Sequence, residues 1–177
     1  MYQGETLNLA RLEGDFLEIN FNSKNGSVNK FDSQTLDELR AAMSILKKAE
    51  SVRGLLLTSS KSVFVVGADI TEFSVMFNAT REEFVAQAAV VNRIFSDIED
   101  LPYPSVAAIN GFALGGGLEI CLTCDKRVIS SEASIGLPET GLGIMPGWGG
   151  TVRLPRLAGF NLALHWIMSG APQNALK

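Results

Sequence analysis

Short apolar runs of strand length alternate along the chain with longer stretches of helical periodicity, and this alternation restricts the fold more than any other feature. FLEINF (16–21), GLLLT (54–58), SVAAIN (105–110) and KRVIS (126–130) each have the length and composition of a strand. Between the first two, Leu36, Leu39, Met43 and Leu46 recur at helical spacing from Asp32 to about Lys48, with Asp32 or Ser33 as the N-cap. A second helix is predicted to begin near Thr80, where Thr80 and Glu83 fit a capping box. It carries Phe84, Ala88, Val91, Phe95 and Ile98 as its apolar positions, and LPYPS stops it. A short helix over 117–124 separates the last two strands. TLNLARL (6–12), joined to FLEINF through Glu13-Gly14-Asp15, adds a hairpin at the start. Strands alternating with helices predict an α/β domain built from crossover units.

With 177 residues, 46% of them hydrophobic, the chain suits a single domain over 1–177 with a continuous core. Its net charge of -4, with no basic cluster or basic helix face, argues against nucleic acid as a partner. No apolar run reaches the roughly 18 residues of a membrane span, and MYQGETLNLARLEG lacks the regions of a secretory signal. A soluble, cytoplasmic protein without integral membrane association is therefore expected. Cys121 and Cys124 form a CxxC, but Leu118, Ile120 and Leu122 surround them and no second pair exists, so they read as buried free thiols. His165, the one histidine, lies among Leu162, Leu164, Trp166 and Ile167 and reads as a packing residue, which leaves nucleophilic triads without a base. GxSxG, P-loop, dinucleotide and metal-ligand patterns are all missing, so no metal is expected.

The remaining chemistry lies in carboxylates and glycines. GADI (67–70), GFALGGGLE (111–119) and SIGLPETGLGIMPGWGG (134–150) each follow or contain an apolar segment, and successive turns of the chain could stack them on one side. Glu139 is the only charged residue between Glu132 and Arg153, so partial desolvation should raise its pKa toward the range useful for proton transfer. Glu119 falls in the first turn of a helix, where the dipole favours the charged form. Two carboxylates in contrasting environments suit an acid/base pair, although a first-turn surface Glu and a turn-capping Glu would look the same. Gly115 to Gly117 let a ligand approach the backbone, and amides at a helix start point outward. With Gly67 before Ala68, two backbone donors could meet one carbonyl oxygen; packing alone would also use these glycines.

Taken together, SVNKFD, FVVGADI, AAINGFALGGGLEICLTCD and IGLPETGLGIMPGWGGTVRLPRLAG resemble the enoyl-CoA hydratase/isomerase (crotonase) family over nearly the whole chain. The resemblance implies an α/β crotonase-like (ClpP/crotonase) spiral of ββα units, truncated before the C-terminal helices. It implies an oxyanion hole from the amides of Ala68 and Gly116, with Glu119 and Glu139 as the catalytic pair that adds water to a trans-2-enoyl-CoA. Isomerisation of a cis-3 double bond to trans-2, and 3-hydroxyacyl-CoA epimerisation, are implied alongside. Substrate and coenzyme A contacts are implied at Ser27, Val28, Gly67, Asp69, Ile70, Gly115, Gly117 and Pro138. No metal or redox cofactor is implied, coenzyme A being part of the acyl-CoA thioester substrate. Leu118 replaces a frequent Cys, and Thr71 a frequent basic residue near the CoA phosphates, leaving Lys24, Lys30 and Lys61 as phosphate candidates. Within the family the wording is most similar to the N-terminal hydratase domain of multifunctional bacterial fatty-acid oxidation proteins. That implies a fragment of a longer β-oxidation chain, with NAD used only by a dehydrogenase domain absent here, in an oligomer with a thiolase β subunit. An acyl-CoA-binding or scaffold domain without turnover, and a two-carboxylate glycosidase, are the competing readings.

Overall fold

Gly14 and Asp15 both take positive φ, 75° and 63°, which turns the chain tightly enough to pair β2 (Leu7–Arg11) with β3 (Phe16–Phe21) as an antiparallel hairpin. The computed structural model describes residues 1–72 and 78–176. Lys177 lies outside them. A two-residue strand, β1 (Tyr2–Gln3), extends the hairpin on the outer side of β2.

From β3 onward the sheet is parallel, because each return passes through a helix. Helix α1 (Ser33–Leu46) leads to β4 (Gly54–Ser59), and α2 (Arg81–Glu99) leads to β5 (Ser105–Ile109). Helix α3 (Gly116–Thr123) leads to β7 (Lys126–Ile129), which completes a six-stranded sheet in the order β1-β2-β3-β4-β5-β7. Both sequence-predicted caps form. Asp32 accepts from the Thr35 amide at 2.8 Å, and Thr80 and Glu83 make a reciprocal capping box.

Leu7, Leu9, Leu17, Ile19, Phe21, Leu55 and Leu57 alternate onto the buried face of the sheet and meet Leu39, Met43 and Leu46 of α1. Above them, Phe21, Phe31, Phe64, Phe95 and Trp148 pack edge-on or tilted in a connected cluster, with ring centroids 5.7 to 6.0 Å apart. Only the second half of α2 joins this core. Val91, Ile94, Phe95 and Ile98 are buried, whereas Phe84 is 47% exposed, so the apolar stripe expected to start at Phe84 is covered only from Val91 on.

The stretch 134–150 is more ordered than its Gly and Pro content suggests. Residues 134–136 form β8 (Ser134–Gly136), parallel to β6 (Ala113–Leu114) and antiparallel to β9 (Gln173–Asn174) in a second, three-stranded sheet. These strands have two or three residues, too few for an alternation to show in the sequence. A 3₁₀ turn at Pro138–Leu142 follows, then α4 (Gly150–Ala158) and α5 (Phe160–Ser169). His165 is exposed on α5, between the half-exposed Leu162 and Leu164 and the exposed Met168, so its expected packing role is not seen among the described residues. Cys121 and Cys124 are buried free thiols, as their neighbours imply.

Candidate active site

Helix α3 starts against bare backbone. A β-carbon at Gly117 would collide with the Val65 carbonyl, so only glycine lets the helix lie directly on the 64–66 segment. Gly115, just before the helix, has φ 53° and ψ -125°, a conformation glycine reaches without strain, and its amide donates to the Gly136 carbonyl at 2.9 Å. Gly116 is the first residue of α3, so its N–H has no acceptor within the helix.

The GADI segment lies alongside. Phe31 donates to the Gly67 carbonyl and accepts from the Asp69 amide, the two bonds of a parallel bridge to Ala68. By that geometry the N–H of Ala68 points away from Phe31. A methyl group placed on Gly115 would sit 3.8 Å from the Gly67 Cα, so the two loops expected to stack are in contact. Ser27 and Val28 precede Asn29, whose carbonyl accepts from the Val66 amide at 3.0 Å and whose side chain donates to the Phe64 carbonyl at 2.9 Å. The SVN segment thus runs beside the same loop. Pro138 opens the 3₁₀ turn carrying Glu139.

Glu119 sits one helical turn into α3 and is only 1% exposed, which removes the reading of a surface first-turn residue. Its Oε1 accepts from the Trp148 amide at 2.9 Å and the Gly150 amide at 2.8 Å. Burial pushes its pKa up to about 7; the Gly150 N–H opposes the rise, the Glu139 charge adds to it, and the Trp148 N–H and Arg153 oppose it again. The helix dipole was expected to keep Glu119 ionised, but the loss of water around it outweighs the dipole.

Glu139 is half-buried, and a methyl group on Gly115 would come within 3.1 Å of its Oε1. Its Oε2 is buried without a hydrogen-bond partner among the described residues. Burial raises its pKa as well, opposed by its own backbone N–H. The neighbouring Thr140 hydroxyl donates to the Ile167 carbonyl at 3.0 Å, which fastens the 3₁₀ turn to the end of α5.

Several of these supports have no motif of their own. Trp148 and Gly150 act through backbone amides, which any residue but proline supplies. Arg153 did carry a signal, since it is the first charge after Glu139. It is 8% exposed and binds Glu99, Ser96 and the Trp148 carbonyl. Of the lysines considered for phosphate, Lys24 pairs with Glu5 at 3.0 Å, Lys61 donates to the Gly26 carbonyl at 3.0 Å, and Lys30 pairs with Asp69. The Lys30 contact holds the Asp69 carboxyl below its ordinary value. Among the described residues no three His, Cys, Asp or Glu lie together as a metal site.

A family model described as enoyl-CoA hydratase/isomerase matches residues 13–176, almost the full chain. The chain belongs to the enoyl-CoA hydratase/isomerase family. Among curated relatives, the fatty acid oxidation complex subunit alpha of Pseudomonas aeruginosa is 55% identical over 175 residues, covering 99% of this chain and 24% of the relative. The chain therefore spans about a quarter of the length of those relatives. Among solved structures, the enoyl-CoA hydratase of Bacillus anthracis aligns with a TM-score of 0.86 and 33% identity, over 97% of this chain and 65% of the other. The enoyl-CoA hydratase of Thermoplasma volcanium aligns with a TM-score of 0.87 and 31% identity, over 98% and 67%. The hydratase/isomerase fold expected from the sequence is therefore the fold observed. No helix among the described residues is long and apolar enough to cross a membrane.

Proposed function

We propose that this chain is an enoyl-CoA hydratase domain of fatty-acid β-oxidation, adding water across the C2=C3 bond of a trans-2-enoyl-CoA. The observation that carries the reading is the presence of two desolvated carboxyl groups, Glu119 within α3 and Glu139 against Gly115, at a helix start whose first amide has no acceptor within the helix. Burial raises both pKa values, and the Glu139 charge adds to the rise at Glu119, so both carboxyl groups hold a proton more readily than free carboxylates do, as acid/base work requires. Glu119 Oε1 receives two amide donors, whereas Glu139 Oε2 has no hydrogen-bond partner among the described residues and is open to a substrate atom.

In this reading the Ala68 and Gly116 amides hold the thioester oxygen. Glu119 takes a proton from water as its oxygen bonds to C3, the π electrons move toward the thioester as an enolate, and C2 then takes the proton of Glu139. The same pair could remove a proton from C2 of a cis-3-enoyl-CoA and return one at C4, which extends the proposal to isomerisation; epimerisation of 3-hydroxyacyl-CoA is a further extension. Coenzyme A would run past Ser27, Val28 and the 67–70 loop, where displacement from Asp69 would free Lys30 for a phosphate. The Pseudomonas relatives are named as alpha subunits of a fatty acid oxidation complex, and assembly with a thiolase β subunit is proposed in line with the family resemblance.

Hydration of crotonyl-CoA, followed as loss of the enoyl-thioester ultraviolet absorbance, tests the proposal in this chain and in a form with the length of its relatives. Glu119→Gln and Glu139→Gln should each lower turnover by roughly 10² to 10⁴ while the fold is retained. Near-normal turnover in both variants would refute it, and tight acyl-CoA binding with no product in either form would favour the binding-domain reading.

A further inference from the structure

Glu119 is held by a turn that has little structure of its own. Residues 144–149 belong to neither helix nor strand, yet the two amides on Oε1 both come from this turn and the helix start behind it. The turn is fastened from behind by α2. Asn92 Nδ2 donates to the Gly147 carbonyl at 2.9 Å, and Arg153 Nη1 donates to the Trp148 carbonyl at 3.1 Å. Arg153 is in turn anchored to α2, with Nε and Nη2 on Glu99 Oε2 at 3.0 and 2.8 Å and Nη2 on Ser96 Oγ at 3.2 Å. At Gly149, φ is 102° and a β-carbon would collide with the guanidinium, so the turn is shaped around it.

We propose that Arg153 is a positioning residue for Glu119: its guanidinium locks the Trp148 carbonyl to α2 and thereby aims the Trp148 and Gly150 amides at the carboxylate. Glu99 sits on the same guanidinium and offsets its charge, so the planar fork matters more than the charge itself. The charged groups that bear on Glu119 are Glu139 from the 3₁₀ turn, Arg153 from α4 and, through Arg153, Glu99 from α2. The rest of α3 and the 64–66 segment on which its start lies carry no charged residue. A lysine at 153 would keep the charge and lose the fork.

The kinetic arm of the test rests on the hydratase reading; the spectroscopic arm does not. In ¹⁵N–¹H spectra recorded against pH, the Trp148 and Gly150 amide signals of the wild type should move together as Glu119 titrates near pH 7. In Arg153→Lys and Arg153→Gln the Gly150 transition should shift to higher pH, because the ionised carboxylate loses aligned donors, and the Trp148 response should weaken. Ser96→Ala, which keeps Arg153 and its ion pair with Glu99 but removes one bond that anchors the guanidinium to α2, should shift the transition the same way by less and covers the case in which the Arg153 variants fail to fold. For hydration, kcat should fall about 10- to 100-fold with KM little changed, and the acid limb of its pH profile should move up with the amide transition. Restoration of both transition and kcat by Lys would overturn the proposal, as would amide transitions unmoved in all three variants. Wild-type amides that behave as expected in a protein with no hydratase turnover would refute the hydratase reading and leave this one standing.

Discussion

Replacing Glu119 with Gln should make the protein more stable above neutral pH while removing its activity. The amide oxygen of Gln can accept from Trp148 and Gly150 as Oε1 does, at 2.9 and 2.8 Å, so the site loses a charge and little else. A rise in pKa from 4.5 to about 7 means that ionising Glu119 costs the folded state roughly 3 kcal/mol more than the unfolded chain. Since the folded value is the higher one, the stability it supports is fully present below pH 4.5 and is lost as pH rises through about 7. The variant should therefore match the wild type near pH 4.5 and exceed it by up to about 3 kcal/mol at pH 8, a Tm difference of about 6 to 12 °C in a domain of this size. Urea unfolding followed by circular dichroism at pH 4.5, 6, 7 and 8 reads the difference directly. A difference that stays flat with pH, or a variant less stable than the wild type at pH 8, would show that Glu119 is not buried as a strained ion.

Glu38 should behave in the opposite sense. Burial alone would raise its pKa, but the amides of Thr6, Glu5 and Leu7 and the Thr6 hydroxyl outweigh it and hold the carboxyl below its ordinary value. Glu38→Gln should cost about 1 to 3 kcal/mol at pH 7 and progressively less as pH falls below about 4, measured by the same unfolding series. Gly117→Ala should abolish the folded state, read as loss of soluble protein and of cooperative melting, because the added carbon meets the Val65 backbone and no side chain can yield. Thr140→Val should lose the bond to the Ile167 carbonyl, costing about 1 kcal/mol in stability, and should lower kcat more than it raises KM by loosening the turn that carries Glu139.

The large sheet was legible because its strands and helices are long enough to show a period, and both helix starts carry capping side chains that act within their own turn. The second sheet was not, because β6, β8 and β9 have two or three residues each and are defined by partners far along the chain, as Ser134 pairs with Asn174. At the site, Glu119 and Glu139 stood out as lone charges among apolar and glycine residues, and Gly115 to Gly117 announced a close approach. The donors to Glu119 were hidden because they are main-chain amides of Trp148 and Gly150. The exposure of His165 was hidden for a related reason: leucines on both sides indicate apolar character, yet among the described residues nothing covers that face of α5.

The link between Thr140 and Ile167 also sets an order of events during synthesis. On a ribosome, Thr140, next to Glu139, emerges 27 residues before the carbonyl that fastens its turn, and Glu119 emerges 29 residues before the first amide that receives it. The sheet through β7 can already be assembled at that stage, since its hydrogen bonds lie wholly within earlier residues. A nascent chain released between 150 and 167 would thus carry the formed scaffold and both acids, with the second acid still adrift.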